Sequence, residues 1–66
     1  MNDLNLSIKA TSTAKVTAST LNVRTGPSTS FPIIRTLPID SIINIYNEIN
    51  NWYRVGYNQW VSKSYT

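Results

Sequence analysis

Apolar and polar residues alternate along much of the chain, with the two-residue period of half-buried strands. In Leu21-Asn22-Val23-Arg24, Leu21 and Val23 point one way, Asn22 and Arg24 the other. Ile42-Ile43-Asn44-Ile45-Tyr46 is the clearest strand: Ile43 and Ile45 share one face, and Ile42, Asn44 and Tyr46 the other. Its β-branched residues suit a pleated surface. In Trp52-Tyr53-Arg54-Val55, Tyr53 and Val55 oppose Trp52 and Arg54. Further strands are predicted over Lys15-Val16-Thr17-Ala18, in Phe31 to Leu37, and over Gln59-Trp60-Val61. No segment carries a helical apolar period of useful length. Five to seven short strands at close spacing predict an all-β fold, a small barrel. The core expected from the pattern is Val16, Ala18, Leu21, Val23, Ile34, Leu37, Ile43, Ile45, Val55, Trp60 and Val61.

The stops between these runs are as informative. Gly26 tolerates positive φ, and Pro27 fixes its own φ and donates no hydrogen bond. Ser28 and Thr29 can bond back to local backbone, so the strand ending at Arg24 runs into a hydroxyl-rich loop. Pro38-Ile39-Asp40-Ser41 reads as a turn, with Asp40 able to take left-handed φ. Asn47 to Asn51 reads as a polar turn interrupted by Ile49, and Gly56-Tyr57-Asn58 as a tight hairpin. Ser62 to Tyr65 is expected to form a short 3₁₀ turn and a last strand. Residues 1–14 contain few large apolar residues and end in a Thr/Ser/Ala cluster, so they are expected to be a flexible linker or tail. The alternation of Leu4, Leu6 and Ile8 leaves a short docking strand as the alternative. The folded domain is then 15–66.

Composition narrows the chemistry. With no cysteine and no histidine, most zinc sites and every Ser-His or Cys-His nucleophile pair are excluded. The acids Asp3, Asp40 and Glu48 fall in the tail and in turns, a poor arrangement for acid–base catalysis. The isolated Gly26 and Gly56 build no phosphate-cradling loop. No catalytic residue, metal site or cofactor is expected. Six Lys and Arg against three Asp and Glu give a net charge of +3. The cations are scattered, so no nucleic-acid patch is indicated. Ordinary solubilising charge explains them, with mild attraction to an anionic surface as the alternative. No stretch is apolar enough to span a bilayer, and Met1-Asn2-Asp3 begins acidic, as in a domain excised from a larger chain.

The run Ala18-Ser19-Thr20-Leu21-Asn22-Val23-Arg24-Thr25-Gly26-Pro27-Ser28-Thr29 resembles the opening motif of bacterial SH3 domains (SH3b). The resemblance continues through Leu37, Ile43, Ile45, Asn51-Trp52-Tyr53-Arg54-Val55 and Trp60-Val61-Ser62-Lys63-Ser64-Tyr65, covering about residues 14 to 66. Two positions depart from the family pattern: Asp40 stands where glycine is usual, and the loop before Trp60 is short, with Gln59 in place of glycine. The resemblance implies a small SH3-like barrel and a non-catalytic module that binds bacterial peptidoglycan, through its stem peptide, cross-bridge or glycan. Such modules sit beside amidase, muramidase or endopeptidase domains in autolysins and phage endolysins. That implies a monomer working in the secreted or cell-wall compartment as part of a larger hydrolase, with no nucleic-acid or membrane partner. Carried over by position, Trp52 and Tyr65 become the ligand-facing aromatics, facing a wall of Arg24, Ser28, Thr29 and Phe31.

Each aromatic also has a packing role to weigh. Trp60 beside Val61 reads as core, because large rings dominate small cores. Trp52 reads either as a cap on the barrel end or as an exposed platform. Asn22 either caps a turn or offers its amide to a ligand. Two other functions compete: an SH3-type adaptor for proline-rich segments, and a barrel for single-stranded nucleic acid using stacked aromatics. The adaptor predicts an acidic loop, whereas the loop here carries Arg24.

Overall fold

The computed structural model describes residues 10–66, which form seven strands and one 3₁₀ turn. The strands are β1 (Ser12–Lys15), β2 (Thr20–Arg24), β3 (Ile33–Pro38), β4 (Ile42–Ile45), β5 (Asn47–Ile49), β6 (Trp52–Gly56) and β7 (Gln59–Ser62). The 3₁₀ turn, η1, is Lys63–Tyr65. All pairings are antiparallel. One sheet is β1-β4; the other has the order β3-β2-β7-β6-β5. The fold is all-β, as the alternation predicts.

The core lies between the two sheets. Val16, Leu21, Val23, Ile43 and Val61 form one buried cluster, with Ala14, Leu37, Tyr53 and Val55 packed against it. Ile45 is buried as well. Each fully buried aliphatic side chain contributes roughly 1.5–3 kcal/mol through the area it removes from water.

Strand parity corrects two expected core residues. Val61 is buried, so its neighbour Trp60 must point to the opposite face of β7; it is half-buried and outside the core cluster. Leu37 pairs with Leu21 and faces inward. Ile34, three positions earlier, then falls outward and is half exposed, on strand β3 at the end of its sheet. Ala18 is only half-buried.

Element boundaries differ from the sequence reading in two places. The first strand is Ser12–Lys15, so pairing begins inside the stretch expected to be linker. The cause is a partner with open bonding groups: β4 pairs with β1 from Ser12↔Ile45 to Lys15↔Ile42, and the Thr11 amide also donates to the Ile45 carbonyl at 2.7 Å. Val16 follows the strand and is held by reciprocal bonds, its amide to Ser41 O and its carbonyl from Asp40 N, both 2.9 Å. Leu4, Leu6 and Ile8 lie outside the described residues. The polar stretch Asn47–Asn51 is mostly strand: Asn47, Glu48 and Ile49 pair with Arg54, Tyr53 and Trp52. The turn is Asn50-Asn51 alone, with φ of 48° and 71°. Two consecutive left-handed residues are what a tight hairpin of this hand requires, and asparagine accepts them well. Asp40 has φ 71° in its turn, as expected. Lys63–Tyr65 is a 3₁₀ turn, and the last strand expected at this segment does not form among the described residues.

Candidate functional site

Directly opposed residues on antiparallel strands share a face. The pairs Arg24↔Trp60, Trp60↔Arg54 and Trp52↔Ser62 therefore gather both tryptophans and two arginines on the outer face of the five-stranded sheet. A cleft of about 350 Å³ opens on this face. Thr20, Asn22 and Arg24 of β2 line it, with the backbone of that strand at Leu21; Thr29, Trp52, Ser62 and Tyr65 complete it. Its lining combines two aromatic rings with hydroxyl, amide and guanidinium groups.

Each wall has a local cause. Trp52 follows the Asn50-Asn51 turn and is half-buried, on the face opposite Tyr53 and Val55. Tyr65 is presented by η1, which is fixed at both ends. Ser62 caps it by accepting from the Ser64 amide, and Asn51 Nδ2 donates to Ser64 Oγ at 2.9 Å. The Lys63 amide donates to Asn51 O at 3.0 Å, and the Thr17 amide to Tyr65 O at 2.9 Å. The Tyr65 ring stays about half exposed (53%). A ring that is held at its backbone and open to water loses little freedom on binding.

The loop after β2 is shaped by its own side chains. Arg24 Nη1 donates to the carbonyls of Thr29 (3.1 Å) and Phe31 (2.9 Å). Ser28 Oγ accepts from the Ser30 amide at 3.0 Å and lies 2.9 Å from Ser30 Oγ. Phe31 lies over Gly26, whose backbone is not left-handed. The reason for glycine is close approach: a Cβ there would sit 2.6 Å from three ring carbons of Phe31.

Of the six residues expected to contact a ligand, Arg24, Thr29, Trp52 and Tyr65 come together in the cleft. Ser28 and Phe31 stand outside its lining and build the loop that carries Thr29. Thr20 and Ser62 were not singled out by sequence. The signal for Thr20 was present, since it shares the outward parity of Asn22 and Arg24. Ser62 depends on its pairing with Trp52 across the sheet. Asn22 lies mid-strand opposite Thr36, so it caps no turn and its amide faces the cleft.

The remaining charge is partly spent. Lys63 Nζ bonds Glu48 Oε2 at 3.0 Å and lies 5.7 Å from the Tyr53 ring centroid. The Glu48 bond and its charge hold the Lys63 ammonium above the usual lysine range. No carboxylate lines the cleft. Among the described residues there is no cluster of His, Cys, Asp and Glu that would hold a metal ion, and no helix is long and apolar enough to cross a membrane.

Compared with known protein families, residues 19–66 match one described as a bacterial SH3 domain. The match begins at the turn before β2 and runs through η1, so it spans every element that lines the cleft. No curated protein and no solved structure matches the chain.

Proposed function

Because the chain belongs to the bacterial SH3 domain family, a family of β-rich binding modules, we propose that it binds the bacterial cell wall and targets an attached wall hydrolase to it. The carrying observation is the cleft between Trp52 and Tyr65, rimmed by Thr20, Asn22, Thr29 and Ser62. Two aromatic surfaces with hydroxyl and amide groups around them suit a peptidoglycan segment. Rings stack on sugar or peptide planes, and the rim exchanges hydrogen bonds with amides and hydroxyls. A weak module is sufficient on a polymeric wall, because tethering raises the local concentration of the attached enzyme. The module works in the secreted or wall compartment as one part of a larger hydrolase.

The competing readings find less support. An adaptor for basic proline-rich peptides calls for carboxylates beside the cleft, and none lines it. Nucleic-acid binding calls for a run of cations along the groove, whereas Arg24 is the one cation lining this cleft.

The test is co-sedimentation of the domain with purified sacculi, before and after teichoic acids are stripped. Binding that survives stripping and persists at high salt supports recognition of peptidoglycan through the cleft. Binding lost on stripping, or abolished by salt as for purely ionic attraction, overturns it.

A further inference from the structure

A second cleft, of about 300 Å³, is lined by Tyr46, Arg54, Gly56 and Tyr57. It lies on the same outer face as the first. The paired row Arg24, Trp60, Arg54 runs across β2, β7 and β6, and sets Trp60 between the two clefts. Tyr46 stands at the junction of β4 and β5, where its amide donates to Arg54 O at 2.8 Å. Tyr57 occupies the tip of the β6–β7 hairpin and is 81% exposed.

The guanidinium of Arg54 gives this cleft its chemistry. Arg54 as a residue is half-buried, and its Nε donates to Gly56 O at 3.3 Å. Among the described residues neither terminal nitrogen has a hydrogen-bond partner, and the one ion pair, Lys63–Glu48, lies elsewhere. The other arginines differ: Arg24 holds two loop carbonyls, and Arg35 donates to Gln59 Oε1 at 2.7 Å. A guanidinium with a free planar fork and no acid lining the cleft beside it favours an anion, and the fork matches a carboxylate. The flanking tyrosines offer apolar ring surface to whatever carries that anion.

We propose that this cleft is a second ligand subsite, taking a carboxylate attached to a small apolar body. The carboxylate sits on the Arg54 fork and the body between Tyr46 and Tyr57. The inference rests on the wall-binding reading, since peptide chains in a wall polymer present terminal carboxylates. Two weak subsites on one face, about a strand or two apart, let one polymer engage both and gain avidity.

The experiment is an NMR titration of the whole chain, following the Arg54 Nε–Hε, Tyr57, Trp52 and Tyr65 resonances. The probes are N-acetyl-D-alanyl-D-alanine, its C-terminal amide, and glycerol 3-phosphate. The acid is expected to move Arg54 and Tyr57 while leaving Trp52 and Tyr65 in place, and to bind at least tenfold more tightly than the amide. Arg54→Gln is expected to remove that preference and Arg54→Lys to retain part of it. Equal binding of acid and amide by the unaltered chain overturns the proposal whatever the variants do. So do tighter binding of glycerol phosphate, and shifts centred on Trp52 and Tyr65. Loss of wall binding in Trp52→Ala, read separately, bears on the first cleft, so the two failures are distinguishable.

Discussion

Replacing Gly26 with alanine tests how the loop beside the cleft is built. The added Cβ would lie 2.6 Å from three carbons of the Phe31 ring, well inside van der Waals separation. The backbone is not left-handed there, so the cost is steric rather than conformational. Phe31 is 41% exposed, so its ring can swing outward, but only by uncovering Gly26 and straining the loop that Arg24 clamps. Overpacking of this kind costs about 1–3 kcal/mol. In a domain this small that lowers Tm by on the order of 5 °C or more. Gly26→Ala is therefore expected to melt earlier in a calorimetric scan and to bind sacculi less well, because Thr29 moves with the loop. Phe31→Ala removes the obstacle, so the double variant is expected to be more stable than the sum of the single changes predicts. A Gly26→Ala protein with unchanged Tm, or a strictly additive double variant, would refute the close-approach argument.

Val23→Ala removes two buried methyl groups at a site with no exposure and is expected to cost about 1–3 kcal/mol in chemical denaturation. Trp60→Ala is expected to leave the domain folded by circular dichroism, because the ring lies on the outer face; an unfolded variant would return Trp60 to the core. Glu48→Gln is expected to bring the Lys63 pKa down toward its ordinary value, as read by NMR. Since the bond to Glu48 and its charge raise the Lys63 pKa in the fold, the lysine side of this pair's stabilisation is present below the unfolded-state pKa. It is lost as pH rises through the raised folded-state value, so the variant and the parent should converge in stability at strongly alkaline pH.

Where one residue's environment sets its role, the sequence was readable. The alternations at Leu21 to Arg24, Ile42 to Tyr46 and Trp52 to Val55 placed their inward residues correctly, and the half-buried Trp52 fell on the outer face by the same parity. What the pattern hid depends on partners. Trp60 and Ile34 were assigned by size and apolarity, against the period of their own strands. The strand at Ser12–Lys15 is polar and owes its pairing to β4. The strand at Asn47–Ile49 reads as a turn until Asn50-Asn51 is seen as the whole hairpin connection. In the cleft, parity set Asn22, Arg24 and Trp52 on the outer face, and the family resemblance singled out Trp52 and Tyr65 as ligand-facing. The separate fates of Thr29, which lines the cleft, and of Ser28 and Phe31, which shape the loop, follow from hydrogen bonds and packing that spacing does not encode.

The central claim is that the Trp52–Tyr65 cleft holds the wall ligand, and Trp52→Ala tests it most directly. The measurement is the dissociation constant for teichoic-acid-free sacculi, at low and high salt, alongside the melting temperature of the same protein. An aromatic at the centre of a binding surface contributes about 1–3 kcal/mol. The variant is therefore predicted to bind roughly tenfold or more weakly at both salt concentrations while keeping a cooperative melting transition. A variant that loses its fold yet binds as tightly per folded molecule, or one that stays folded with unchanged affinity, would contradict the assignment.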